Sequence, residues 1–204
     1  MLFRSVLMPE LDCLFSVPQD PVYHPEGDAG VHTLMVLQTM RQQTDELVLL
    51  WSALCHDLGK GMTPAELWPK HPGHELAGVS LVEQLGQRLR VPAQITQTAK
   101  LVCRWHGDIH KGEALTPEQR LQVMEASDVW RKPEQSAALV TVREPDSHGR
   151  TGYETADYPQ AQQWLQWLKQ VQAVTAQSFI EQGLSGRDIQ QAMRQERLQR
   201  LSSH

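Results

Sequence analysis

The chain has 204 residues, 40% of them hydrophobic and 21% charged, which suits one domain with a large core and excludes a disordered chain. No apolar run approaches the roughly 18 residues that read as a membrane span, and Met1–Met8 lacks the basic start and apolar core of a signal peptide. A net charge of −5 excludes capture of nucleic acid by bulk attraction, so any such contact needs a local basic patch.

Helical signals dominate in chain order, with no alternating runs and no Asn-Gly hairpins. Val31, Leu34, Met35, Leu37 and Met40 predict a helix over Gly30–Met40. Leu47 to Leu58 is almost wholly apolar, which predicts a helix buried on most sides with His56 and Asp57 at its end. Thr63-Pro64-Ala65-Glu66 has the form of a capping box opening a short helix. Leu76 to Leu89 outline an apolar face from His74 to Arg90, and Pro92 starts a helix reaching His106. Thr116-Pro117-Glu118-Gln119 is a second capping box, whose helix is expected to pass Asp128 towards Arg131. A helix over Gln135–Val142, a Gln-rich helical segment from Pro159 to Gln182 and a last helix started by Ser185 complete the all-α expectation. A boundary near Asp146–Asp157 divides a core, residues 1–150, from a helical C-terminal extension, residues 151–204.

Three cysteines, Cys13, Cys55 and Cys103, form no Cys-x-x-Cys pair, which disfavours a thiolate zinc site and suits a reducing cytoplasm. The nine histidines are the unusual feature. His32, His56, Asp57, His74, His106, His110 and Asp128 each fall in or at the end of a predicted helix, several bracketed by apolar residues. Imidazole with carboxylate suits Zn²⁺, Ni²⁺, Mn²⁺ or Fe²⁺, and carboxylate alone suits Mg²⁺. His106 and His110 share a face if the helix continues through Gly107. Lys60, three residues past Asp57, can add positive charge beside a phosphoryl group. His24, His71, His148 and His204 lie beside proline or glycine or at the terminus, and read as surface residues.

Gly30-Val31-His32-Thr33-Leu34, Leu54-Cys55-His56-Asp57-Leu58-Gly59-Lys60-Gly61 and Asp128 together resemble the HD superfamily of metal-dependent phosphohydrolases. His24-Pro25-Glu26-Gly27-Asp28, Leu67-Trp68-Pro69-Lys70-His71-Pro72-Gly73-His74, Asp128-Val129-Trp130-Arg131-Lys132-Pro133 and Gly149-Arg150-Thr151-Gly152-Tyr153-Glu154 are similar to the C-terminal HD domain of bacterial CCA-adding enzymes, the multifunctional tRNA nucleotidyltransferases. The resemblance implies an HD-domain helical bundle and 2′,3′-cyclic phosphodiesterase, 2′-nucleotidase and phosphatase activity at tRNA or RNA 3′ ends, with metal-activated water as nucleophile. It implies one or two divalent ions, Ni²⁺, Mg²⁺ or Mn²⁺. His32, His56, Asp57 and Asp128 match the first metal site, while His74, His106 and His110 match a second in which Asp57 bridges.

Asp57 and Lys60 are then the expected catalytic residues, with Lys60, Arg131 and Arg150 binding substrate. No nucleotidyltransferase motif accompanies these residues, so no CCA addition is expected, and a homodimer is allowed. Two rival readings stand beside this one. One is a hydrolase of free nucleotides. The other is an RNA-binding accessory module with a vestigial metal site, using Arg187, Arg194, Arg197 and Arg200.

Overall fold

The computed structural model describes residues 6–152 and 157–202. Met1–Ser5, the Tyr153-Glu154 end of the loop motif and His204 lie outside them. The described residues form no strand, only an isolated antiparallel bridge between Pro18 and Asp28, and no helix among them is long and apolar enough to cross a membrane.

A single turn, α1 (Pro9–Asp12), leads into a loop that closes at the Pro18–Asp28 bridge. Asp28 then caps α2 (Ala29–Gln43): one carboxylate oxygen accepts the Val31 N–H at 2.8 Å and the other accepts the Ser16 N–H at 2.6 Å. One side chain therefore starts the helix and ties the loop to it. The apolar run becomes α3 (Leu47–Cys55), in which Leu49, Trp51, Ser52, Ala53 and Cys55 are buried. It stops three residues short of the sequence expectation, and a 3₁₀ turn follows over Leu58–Met62. Thr63 caps nothing: Pro64 takes the cap position of a short 3₁₀ turn over Ala65–Leu67, with no side-chain hydrogen bond.

Two longer helices, α4 (His74–Arg88) and α5 (Ala93–Lys111), pack along α3 and the 3₁₀ turn. The second runs unbroken through Gly107, so His106 and His110 do lie on one helix. Thr116 forms the expected capping box with Gln119 and opens α6 (Pro117–Ala126). That helix ends before Asp128, which adopts a left-handed φ of 50° in the following turn. The next helix, α7 (Pro133–His148), extends six residues beyond the predicted Val142 and carries Arg143 and Asp146. Pro145 lies within it.

The C-terminal segment forms α8 (Pro159–Gln172), a short α9 (Gln177–Glu181) and α10 (Gly186–Ser202). Trp164, Trp167, Leu168, Val171 and Leu201 join the same buried cluster as Val36, Ala53, Val102 and Leu139. The segment therefore shares its core with α2, α3, α5, α6 and α7. Full burial of each large side chain contributes roughly 1.5–3 kcal/mol.

Candidate metal centre

His56 closes α3 in helical conformation, and Asp57 turns out of it at φ −112° and ψ 12°. Both are buried, 0% and 1% exposed, at a depth where polar groups are costly unless something pairs with them. Leu58, fully buried, pins the turn that follows. Gly59 lets that turn lie against the start of α4, because a Cβ there would stand within van der Waals overlap of the His74 carbonyl oxygen and 2.7 Å from the Gly78 nitrogen. The Gly59 contact brings His74 beside Asp57.

Three histidines share one arrangement. His56 Nδ1 lies 2.7 Å from Ala53 O, His74 Nδ1 lies 2.8 Å from His71 O, and His106 Nδ1 lies 3.1 Å from Cys103 O. In each case a carbonyl three residues earlier accepts the Nδ1–H, which fixes the tautomer and leaves the Nε2 lone pair free. All three Nε2 atoms face the Asp57 carboxylate. Oδ2 is 3.2 Å from His56, while Oδ1 is 3.2 Å from His74 and 3.4 Å from His106. With Nδ1 protonated, these are lone pairs opposed to lone pairs. His56 Nε2, His74 Nε2 and Asp57 Oδ1 are buried and lack a hydrogen-bond partner. Such an arrangement is repulsive by itself and is relieved by a cation between the donors, so these residues fit a divalent ion.

Two ligand sets meet at Asp57. His32, His56 and Asp57 form one and Asp57, His74 and His106 the other, each with its ligand atoms within 4.8 Å of one another. Asp146 adds a carboxylate to the first set, with Oδ1 3.0 Å from His32 Nε2 and 3.8 Å from His56 Nε2. Its other oxygen pairs with the buried Arg143. His32 Nδ1 lies 2.8 Å from Glu26 Oε1, which also lies 3.1 Å from His24 Nδ1. Carboxylate behind histidine is the usual way a ligand ring is oriented.

Charge agrees with geometry. Burial pushes the Asp57 carboxyl up, but Lys60, His56 and His106 outweigh it and hold it well below the usual carboxylate range. Burial pushes His32 and His106 down to about 4, against the opposing pull of Glu26 and Asp57 respectively. Neutral imidazoles and an ionised carboxylate are the protonation states that bind metal. Lys60 is itself buried, with Nζ 2.6 Å from Asp57 Oδ2 and donating to Gln19 Oε1 at 2.5 Å.

A cleft of about 670 Å³ opens over the centre, lined by His24, Lys60, Lys70, His74, Lys111 and Arg150 among others. Of the residues predicted from sequence, the structure gathers His32, His56, Asp57, His74 and His106 as potential ligands, with Lys60, His110 and Arg150 at the cleft. His110 is exposed, its ring parallel to Tyr158 at 6.4 Å between centroids, and belongs to neither ligand set. Asp128 and Arg131 are not at the centre. They pair with each other at 2.8 Å, and the Arg131 side chain is 82% exposed. The reason is the early end of α6, which turns Asp128 into a surface bend. The carboxylate that does lie beside His32 and His56 is that of Asp146.

Of the histidines read as surface residues, His71 is buried and His24 half-buried against the centre. His71 is 2% exposed with Nε2 2.7 Å from Pro18 O, and His24 packs edge-on against His32 at 4.7 Å. His148 is half-buried at the end of α7. Sequence reading also missed Glu26 and Asp146. The available signal for Asp146 was the i,i+3 spacing from Arg143 in a helix that is mostly buried; Glu26 had none beyond its place two residues from His24.

A family profile described as the HD domain matches residues 30–156. The matched region holds His32, His56, Asp57, His74, His106 and Asp146, the gathered donors. Glu26 and His24 lie just before it.

Proposed function

The chain belongs to the HD-domain family, a family of metal-dependent hydrolases, and on that footing we propose that it hydrolyses phosphate esters, 2′,3′-cyclic phosphates and 2′-monophosphates, at tRNA or RNA 3′ ends. The observation that carries this reading is Asp57, buried between two sets of histidine Nε2 atoms and in contact with Lys60 and His74, which line a cleft that also holds Lys70, Lys111 and Arg150. A divalent ion held there supplies Lewis acidity and a lowered pKa for water. His32, His56, Asp57 and Asp146 would hold one ion, and Asp57, His74 and His106 a second.

The remaining chemistry belongs to side chains. Lys60 holds its ammonium against Asp57 at the cleft wall, where it can meet a non-bridging phosphoryl oxygen. Arg150, 8% exposed and 4.0 Å from Asp146, lines the same cleft with Lys70 and Lys111. These four cations form the local basic patch that an acidic chain needs to hold an anion. The N/O donor set suits Mn²⁺, Ni²⁺, Fe²⁺ or Zn²⁺, with Mg²⁺ favoured only by the carboxylates.

The reading as an RNA-binding accessory module has less support. Arg197 lies over the Trp130 ring at 3.8 Å, Arg194 pairs with Glu125, and Arg200 bonds Glu196 and the Gln170 carbonyl. These guanidinium groups fasten α10 to the rest of the chain.

The test is metal analysis of the purified protein, then hydrolysis of 2′-, 3′- and 5′-monophosphates, 2′,3′-cyclic nucleotides and dNTPs. Metal-loaded protein is expected to favour 2′- and 2′,3′-cyclic esters, and Asp57→Ala to lose metal and hydrolysis together. Preference for dNTPs would select the free-nucleotide rival. Wild-type rates in Asp57→Ala would refute the site.

A further inference from the structure

Residues 19–27 form a loop closed at its neck. Pro18 bridges Asp28, the Gln19 N–H donates to Gly27 O at 2.9 Å, and the Ala29 N–H donates to Val17 O at 3.0 Å. Its inner residues serve the centre: Gln19 accepts from Lys60, and Glu26 stands behind His32. Its outer bend is held by the Tyr23 and His24 N–H groups, both donating to Asp20 O, at 3.1 and 2.8 Å. Tyr23 nevertheless leaves 61% of its surface exposed. That ring lines the same cleft as Lys60, Lys70, His74 and Arg150.

A scattered exposed aromatic needs no explanation. This one is placed by a loop tied near both ends to the metal centre, in a cleft that also holds Lys60, Lys70, Lys111 and Arg150. Lysine and arginine provide for the phosphate, and none of those cations provides for a base. An aromatic face beside a phosphate site matches one chemical class, a nucleotide, because every nucleobase has a π-face to stack. The cleft volume of about 670 Å³ lies within the range of small-molecule sites, roughly 300–1,000 Å³.

We propose that Tyr23 is the nucleobase platform of this cleft, stacking one unpaired base while Lys60 and Arg150 hold the attached phosphate. The proposal rests on the phosphate-ester reading above and assigns the residue that holds the base of such an ester. Stacking is tolerant of base identity, so purine and pyrimidine nucleotides should both bind, purines more tightly by their larger face.

The test is calorimetric titration of the full-length, Mn²⁺-loaded protein with the non-hydrolysable phosphonate analogue of 2′-AMP, which stands for 2′-AMP in each titration below, and, separately, with inorganic phosphate. Wild type is expected to bind 2′-AMP more tightly than phosphate. Tyr23→Ala should weaken 2′-AMP by about tenfold, the lower end of a stacking contact, with phosphate affinity unchanged. Tyr23→Phe, which keeps the ring and removes the hydroxyl, should match wild type. An unchanged 2′-AMP affinity in Tyr23→Ala would overturn the proposal. So would equal weakening of both probes, or a wild type that binds the two alike. If the protein binds 2′-AMP through Tyr23 yet cleaves no ester, the hydrolase reading fails and the platform stands.

Discussion

Glu26 Oε1 stands 2.8 Å from His32 Nδ1, so a residue of the closed loop orients a ligand on α2. Both side chains are buried, 2% and 0% exposed. Glu26→Gln keeps the volume and removes the charge, and should weaken metal binding about 10- to 100-fold, the usual effect of losing an outer partner. Competition with a metal chelator measures this. An affinity within twofold of wild type would show that the loop does not orient the ligand.

Asp146→Asn and Asp128→Asn separate the two carboxylates that could complete the first site. Asp146→Asn should lose metal from that site, and it also leaves Arg143 buried without its anionic partner, so melting is followed in parallel. Asp128→Asn breaks only a solvent-exposed pair with Arg131, and should keep its metal. Equal metal loss from both variants would contradict the assignment.

Gly59→Ala tests the close approach between the 3₁₀ turn and α4. Its Cβ would meet the backbone of His74 and Gly78, not a flexible side-chain end. The turn must shift, which should destabilise the fold by about 1–3 kcal/mol and displace His74 from Asp57. Urea denaturation reads the first effect and second-ion stoichiometry the second.

Stability of the metal-free protein should fall as pH drops from about 6.5 towards 4. His32 and His106 are held near 4 by burial. Above 6.5 both states carry neutral imidazoles. Below it the unfolded chain takes up protons that the folded chain does not, so folding weakens until both are protonated below about 4. Each buried imidazole accounts for on the order of 3 kcal/mol over that window. Denaturant midpoints at pH 7 and 5 check the sign. Metal affinity should fall over the same range, since ligation needs the neutral ring.

His32, His56, Asp57, His74 and His106 were legible because each falls in or at the end of a predicted helix, several of them bracketed by apolar residues, where an ionisable group needs a partner. Asp128 misled for a local reason: the pattern of α6 continues past Ala126, but the chain leaves the helix in a left-handed bend. Asp146 was hidden by the opposite error, since Pro145 invites an early stop and the helix continues to His148. Lys60 and Arg150 were named and lie at the cleft; Arg131 was named and faces solvent.

By itself the sequence determined the all-α class and the motif at the end of the buried helix, because helical periodicity and one-turn spacing are local properties. Only the tertiary structure decided that Asp57 faces two histidine sets, that Asp146 lies beside His32 and His56, and that the loop carrying Glu26 and Tyr23 contacts Lys60 and His32. Those contacts join residues up to 114 positions apart, as His32 and Asp146 are. Which side chains meet at that separation depends on how the helices pack, and no local pattern encodes it.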